Sequence, residues 1–229
     1  MILTKPKNWT EIQAAIKEWN LRKVVVVGCG SCSAQCGTGG TEGVKKIVEN
    51  LEKEKVQILG SIVIEEPCDG RLVKNELRQI NEEVDQADGF IVASCGSGAQ
   101  TIFETTEKPV IVTTDTVMIS QTERIGLYHE KCKACGKCLL NETGGICPIT
   151  ACAKSLLNGP CGGVIDGQCE VGNYTHPCGW IAIYNRLKHL NRLDLFKKNR
   201  QPRDWSLESQ NQTVNVQKEM KDSYVCKET

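Results

Sequence analysis

KVVVVGCGSCSAQCGTGG, residues 23–40, decides the fold. Four consecutive valines form a β-branched run suited to a strand covered on both faces, and the Gly- and Ser-rich stretch after them is a loop. A helical period follows through Val44, Ile47, Val48 and Leu51. Working outward, the same strand, loop and helix pattern recurs. It recurs at Val56–Ile64, with a loop over 65–70 and a helix through Leu72, Val73, Leu77, Ile80 and Val84. It recurs at Phe90–Ala93, with a loop over 94–98 and a short helix ending near Thr105, and Val110–Thr113 makes a fourth strand. Upstream, residues 10–19 predict a helix with Thr10 as N-cap and Ile12, Ile16 and Trp19 at helical spacing. Strands alternating with helices imply a doubly wound α/β fold, a small parallel sheet over residues 1–118.

Beyond about Ser120 the texture changes. Residues 129–178 are dense in Cys, Gly and Pro and poor in large apolar side chains, so bound metal is expected to substitute for a hydrophobic core. Helical spacing returns over 180–195 through Ile181, Ile183, Tyr184, Leu187 and Leu190. The expected organisation is therefore an α/β domain over 1–118, a Cys-rich, metal-organised module with its C-terminal helix over 119–200, and a polar tail over 201–229 in which Cys226 is an unligated thiol.

A chain of 229 residues has room for two such units. Lys plus Arg and Asp plus Glu both total 28, which gives no net charge to draw the chain to nucleic acid or to an anionic membrane surface. The opening residues lack the apolar core of a signal peptide, and the longest apolar run, residues 180–184, cannot cross a bilayer. The expectation is a cytoplasmic protein with no membrane insertion. In a reducing compartment, 14 bunched cysteines point to metal rather than to disulfides.

Five of them follow strands of the sheet: Cys29, Cys32 and Cys36 after the first, Cys68 after the second, and Cys95 after the third. Open α/β sheets collect ligands outside the carboxyl ends of their strands, so these thiolates are candidates for one 4Fe-4S cluster, with one of the five left over. The neighbouring Gly28, Gly30, Gly37, Gly39, Gly40, Gly96 and Gly98 are expected to let backbone amides approach it. A dinucleotide loop is the rival, but Ser33 stands where that fingerprint needs its third glycine. Zinc and a redox disulfide are further alternatives.

Eight more cysteines lie within about fifty residues. Cys132, Cys135 and Cys138 form C-x2-C-x2-C, and Cys147 precedes Pro148, as in bacterial ferredoxin ligand runs, although eight residues rather than three separate Cys138 from Cys147. With Cys152, Cys161, Cys169 and Cys178 they supply two four-thiolate sites, which suits two 4Fe-4S clusters or one cluster and one zinc. The whole chain would then carry two to three clusters and, in the second case, one zinc. His129 and His176 are weaker candidates, more simply surface groups, and Lys133, Lys137 and Lys154 are candidates for offsetting cluster charge.

The stretch ACGKCLLNETGGICPITACAKSLLNGPCGG, together with VVVVGCGSCSAQCGTGG, EEPCDG and ASCGSGAQT, resembles the methylene-tetrahydrofolate reductase C-terminal family, and over residues 23–205 the iron-sulfur (MetV-type) subunit of the acetogen-like reductase. The resemblance implies a partner, a catalytic TIM-barrel subunit that carries the flavin (FMN) and binds the folate, and a place in one-carbon metabolism. It also leaves zinc open beside iron. There is no room in this chain for an eight-stranded barrel of its own, so the resemblance implies an electron-transfer subunit of an oxidoreductase complex, linking a donor such as ferredoxin or an NADH-linked module to the partner's flavin. Two alternatives remain: an assembly subunit whose metals only stabilise the complex, and a free-standing enzyme acting at an open cluster iron.

Overall fold

The computed structural model describes residues 1–54 and 56–205, so Cys226 and most of the expected tail lie outside the described residues. It divides into two compact units, Met1–Lys133 and the residues from Ala134 onward.

The first unit opens with β1 (Ile2–Pro6) and α1 (Trp9–Glu18), followed by β2 (Lys23–Cys29), α2 (Cys32–Gln35) and α3 (Gly40–Lys53). Next come β3 (Gln57–Ile64), α4 (Gly70–Leu77), α5 (Asn81–Gln86), β4 (Gly89–Ala93), α6 (Gly96–Thr106) and β5 (Val110–Val112). Strands β3, β2, β4 and β5 lie side by side in that order, all parallel, which is the α/β sheet expected from the valine run. Val24, Val25, Val26 and Val27 are wholly inaccessible to solvent, because helices cover both faces. Val24, Val26 and Ile91 meet Ile12, Ile16, Ile47 and Leu51 of α1 and α3 on one side. Val25, Val27, Phe90 and Val92 meet Val73, Leu77 and Ile102 of α4 and α6 on the other.

Three local expectations change. Asn8, not Thr10, caps α1: its side chain accepts the Thr10 N–H at 3.1 Å. Trp19, expected on the buried face, closes that helix and is 60% exposed. The helix expected through Val84 breaks at a 3-10 turn over Arg78–Ile80, a change of winding that apolar spacing does not reveal, since Ile80 and Val84 still pack against the same layer.

A second sheet was not foreseen. β6 (Thr114–Arg124) and β7 (Leu127–Cys132) form a hairpin turning at Gly126 (φ 86°), and β1 pairs antiparallel with β6 to give the order β1-β6-β7. Its strands are mostly polar, and β1 finds its partner more than a hundred residues away.

The second unit contains α7 (Pro148–Ala151), the short pair β8 (Val164–Ile165) and β9 (Gln168–Cys169), α8 (Gly179–His189) and α9 (Leu193–Phe196). The single helix expected over 180–195 is thus two, separated at Asn191, whose φ is 55°. The apolar support for this module comes from the helix expected to follow it, with Trp180 in its core. Trp180, Ile183 and Leu187 are almost fully buried with Cys152 and Cys178, flanked by Ile146, Leu156, Leu195 and Phe196. Trp180 Nε1 donates to Leu156 O at 3.0 Å, and its ring meets Phe196 edge-on at 6.0 Å. α8 and α9 supply this core to a Cys-rich segment that has few large apolar residues of its own.

The polar residues after Phe196 also fold back instead of trailing away. The Arg200 guanidinium lies 5.4 Å from the Trp180 ring and pairs with Glu142 at 3.0 Å, while the Arg200 N–H donates to Asn158 at 2.7 Å. Arg203 is 7% exposed.

Candidate metal centre

The strand order puts the sheet's switch point between β2 and β4, whose following connections leave in opposite directions. Cys29 is the last residue of β2 and is buried; Cys95 caps α6 just beyond β4 and is also buried. Cys68 arrives from the far side on the loop after β3. Its side chain reaches the surface, yet the protein around it raises the thiol above its ordinary range; Cys95 adds to the effect, with Glu66 and Cys29 behind it. Cys29, Cys68 and Cys95 thus stand at the ends of three neighbouring strands, β2, β3 and β4. A small residue makes this approach possible: a β-carbon on Gly98, in the first turn of α6, would stand 3.0 Å from Pro67 Cγ and 2.8 Å from Ser94 Oγ.

Cys32 and Cys36, at the two ends of α2, face β1 instead. The Ile2 N–H points at Cys32 Sγ (3.5 Å) and the Thr4 N–H at Cys36 Sγ (3.5 Å), while Cys36 Sγ also lies 3.7 Å from Ile2 O. Buried hydroxyls fix that contact. Thr4 Oγ1 lies 2.7 Å from Thr38 Oγ1 and donates to Ser33 Oγ at 3.3 Å, and Tyr128 of β7 donates to Gln35 O at 2.8 Å. The unforeseen sheet is thus the support of the cysteine loop.

Several glycines around these thiols are required by packing. At Gly39 a β-carbon would meet Ser33 Cβ at 2.7 Å, Cys29 O at 2.8 Å and Ala93 O at 2.9 Å, so only a bare Cα fits between the ends of β2 and β4. Gly28 is filled by Val44, Gly30 by Glu65 and Gly40 by Ala34, and the Gly96 N–H is taken by Thr116 Oγ1 at 2.8 Å. Gly37, with φ 69° and nothing within 4 Å of a built β-carbon, is the open one.

In the second unit, Cys135 lies in a loop with left-handed backbone at Ala134 (φ 53°) and Gly136 (φ 75°) on either side of it. Cys138 is exposed, Cys147 precedes α7, and Cys152 and Cys178 belong to the apolar cluster around Trp180. Cys161 Sγ lies 3.8 Å from Lys154 Nζ, and that lysine is held above its ordinary pKa chiefly by a hydrogen bond to Glu170. Cys169 is on β9, and its N–H donates to His176 O. Cys132 ends β7 of the first unit, and there His129 Nε2 pairs with Glu123 at 2.6 Å. Lys133 pairs with Glu130.

Among the described residues, no three His, Cys, Asp or Glu side chains close to the spacing that holds a single metal ion. No described helix is long and apolar enough to cross a membrane. A cavity of about 550 Å³ beside β5, lined by Trp19, Ala99, Phe103 and Val110 among others, contains no thiol.

Residues 111–206 match the family model described as methylene-tetrahydrofolate reductase C terminal. The matched stretch is under half of the chain; it starts in β5, includes the hairpin β6–β7, and contains the eight cysteines from Cys132 to Cys178. It relates this part of the chain to the methylenetetrahydrofolate reductases. No curated protein and no solved structure matches the chain.

Sequence reasoning missed Thr4, Ser33, Thr38 and Arg203. The first three are small polar residues whose roles depend on a strand pairing across the whole unit. Arg203 has a weak signal in sequence, an arginine two residues before Trp205, a spacing compatible with a stacked pair.

Proposed function

We propose that this chain is an iron-sulfur electron-transfer subunit that works with a flavin-dependent methylenetetrahydrofolate reductase. The observation that carries the proposal is the position of Cys29, Cys68 and Cys95 at the carboxyl ends of three neighbouring parallel strands, on a chain whose residues 111–206 match the reductase family model. Thiolates in that number, on loops after adjacent parallel strands, suit a 4Fe-4S cluster. Cys32 and Cys36 are the candidates for its fourth thiolate, and either would have to turn from its contact with β1 to reach the other three. Cys132, Cys135, Cys138 and Cys147, with Cys152, Cys161, Cys169 and Cys178, provide two further four-thiolate sites, for two clusters or for one cluster and one zinc. Bound there, the clusters supply one-electron transfer between a donor such as ferredoxin or an NADH-linked module and the FMN of a catalytic TIM-barrel partner.

The chain's own residues hold those sites. Gly39 and Gly98 allow the thiol-bearing loops to close, the buried Thr4, Ser33 and Thr38 hydroxyls lock the cysteine loop to β1, and the Trp180 core fixes the helix that follows Cys178. The test is iron, sulfide and zinc analysis of anaerobically purified chain, followed by a spectroscopic redox titration with its catalytic partner. About twelve irons per chain indicates three clusters, and about eight with one zinc indicates two. Folded, colourless, iron-free protein overturns the proposal, and clusters that keep one oxidation state with every physiological donor leave them a structural role only.

A further inference from the structure

Two arginines near the end of the described chain fold back into the second unit, and their surroundings differ. Arg200 has a counter-charge: its buried Nε makes no aligned hydrogen bond but stands 3.0 Å from a Glu142 carboxylate oxygen, Nη1 donates to Leu157 O at 3.4 Å, and Nη2 donates to Glu142 O at 3.2 Å. Arg203 is 7% exposed. Its Nη2 donates to Cys135 O, its guanidinium carbon lies 4.7 Å from the centre of the Trp205 ring, and Nε and Nη1 are buried with no acceptor. A guanidinium stays protonated in any protein environment, so a buried one with two idle N–H groups is strongly unfavourable unless negative charge stands opposite. The carbonyl it does hold belongs to the middle cysteine of C-x2-C-x2-C, in a loop made concave by left-handed residues on both sides.

We infer that Arg203 is a positioning residue for an anionic metal-thiolate site on the Cys135 loop, where it offsets the site's negative charge and donates its two idle N–H groups to sulfur. The inference rests on the proposed iron-sulfur role and goes beyond it, because it assigns a residue outside every cysteine motif to the control of one cluster. Four thiolates and inorganic sulfide leave such a cluster negative in both oxidation states. A fixed positive charge beside it favours the reduced, more negative state, and hydrogen bonds to sulfur act in the same direction.

The test uses the full chain, purified anaerobically, as wild type, Arg203→Gln and Arg203→Lys. In an EPR-monitored titration, Arg203→Gln should lower one cluster's midpoint so that the reduced-to-oxidised ratio at the wild-type midpoint falls about tenfold, equivalent to about 59 mV for one electron. Arg203→Lys should recover most of that change. A second measurement needs no variant to fold: wild type carrying guanidino-15N arginine should show 15N coupling to one reduced cluster in pulsed EPR. Unchanged midpoints in Arg203→Gln, or no 15N coupling in iron-loaded wild type, overturn the inference and leave the iron-sulfur role standing. Wild type that holds no iron overturns both.

Discussion

Replacing Gly39 by alanine tests whether the thiol crevice is as closely built as its geometry indicates. Gly39 has φ −122° and ψ −151°, an extended conformation open to any residue, so the added methyl acts through contact alone. It would stand 2.7 Å from Ser33 Cβ, 2.8 Å from Cys29 O and 2.9 Å from Ala93 O. Two of these are backbone carbonyls at the ends of hydrogen-bonded strands and cannot turn aside. Forcing a methyl into a filled site costs about 1–3 kcal/mol, and alanine is also a poorer N-cap for α3 than glycine. Reduced freedom of the unfolded chain returns about 0.4–1 kcal/mol. The net is a loss of about 2 kcal/mol, or about 4–8 °C in melting temperature for a chain of this size. Thermal unfolding by circular dichroism reads the shift, with Gly162→Ala as the control, since that site has open space and no positive φ. Iron content should fall in parallel, because the methyl pushes apart the strand ends that lead to Cys29 and Cys95. A Gly39→Ala protein that melts with wild type and keeps its iron would refute the close fit.

Gly98→Ala should press on Pro67 and Ser94 and separate Cys68 from Cys95, lowering iron by roughly four atoms per chain; full iron loading in a stable variant would count against the proposed first site. Trp180→Ala should destabilise the second unit by about 3–5 kcal/mol, read as proteolytic cleavage after residue 134 while the first unit stays protected. Asp88 accepts the Lys23 and Arg22 N–H groups at the start of β2, which holds its carboxyl below the usual range. Its stabilising effect should therefore be complete above the ordinary carboxylate pKa of about 4 and be lost as pH falls through the lower folded value. The stability difference between wild type and Asp88→Asn should then shrink on acidification, and denaturant titrations at a series of pH values measure it.

The parallel sheet was legible because its signal is local. Val24–Val27 sit in one uninterrupted run, and the apolar period of each following helix can be counted on neighbouring residues. The position of Cys29, Cys68 and Cys95 at strand ends followed from the same local signal and needs no side-chain detail. β1 and β6–β7 were illegible for the opposite reason: Thr4, Thr114 and Ser120 are buried polar residues, so composition marks them as surface, and their pairing is long-range. Around Trp180 the core helix itself was legible from its apolar period, but its break at Asn191, which turns Phe196 back onto the Trp180 ring, was not. Arg203 lay in a stretch whose charge suggested solvent, because sequence cannot show that a guanidinium has turned inward.

The apolar cluster beneath Cys152 and Cys178 bears on the order of assembly. A segment with its own oily interior asks less of its metal than a segment without one, so apolar contact can gather the chain around Trp180 first, and the proposed clusters would then close on thiols already brought near.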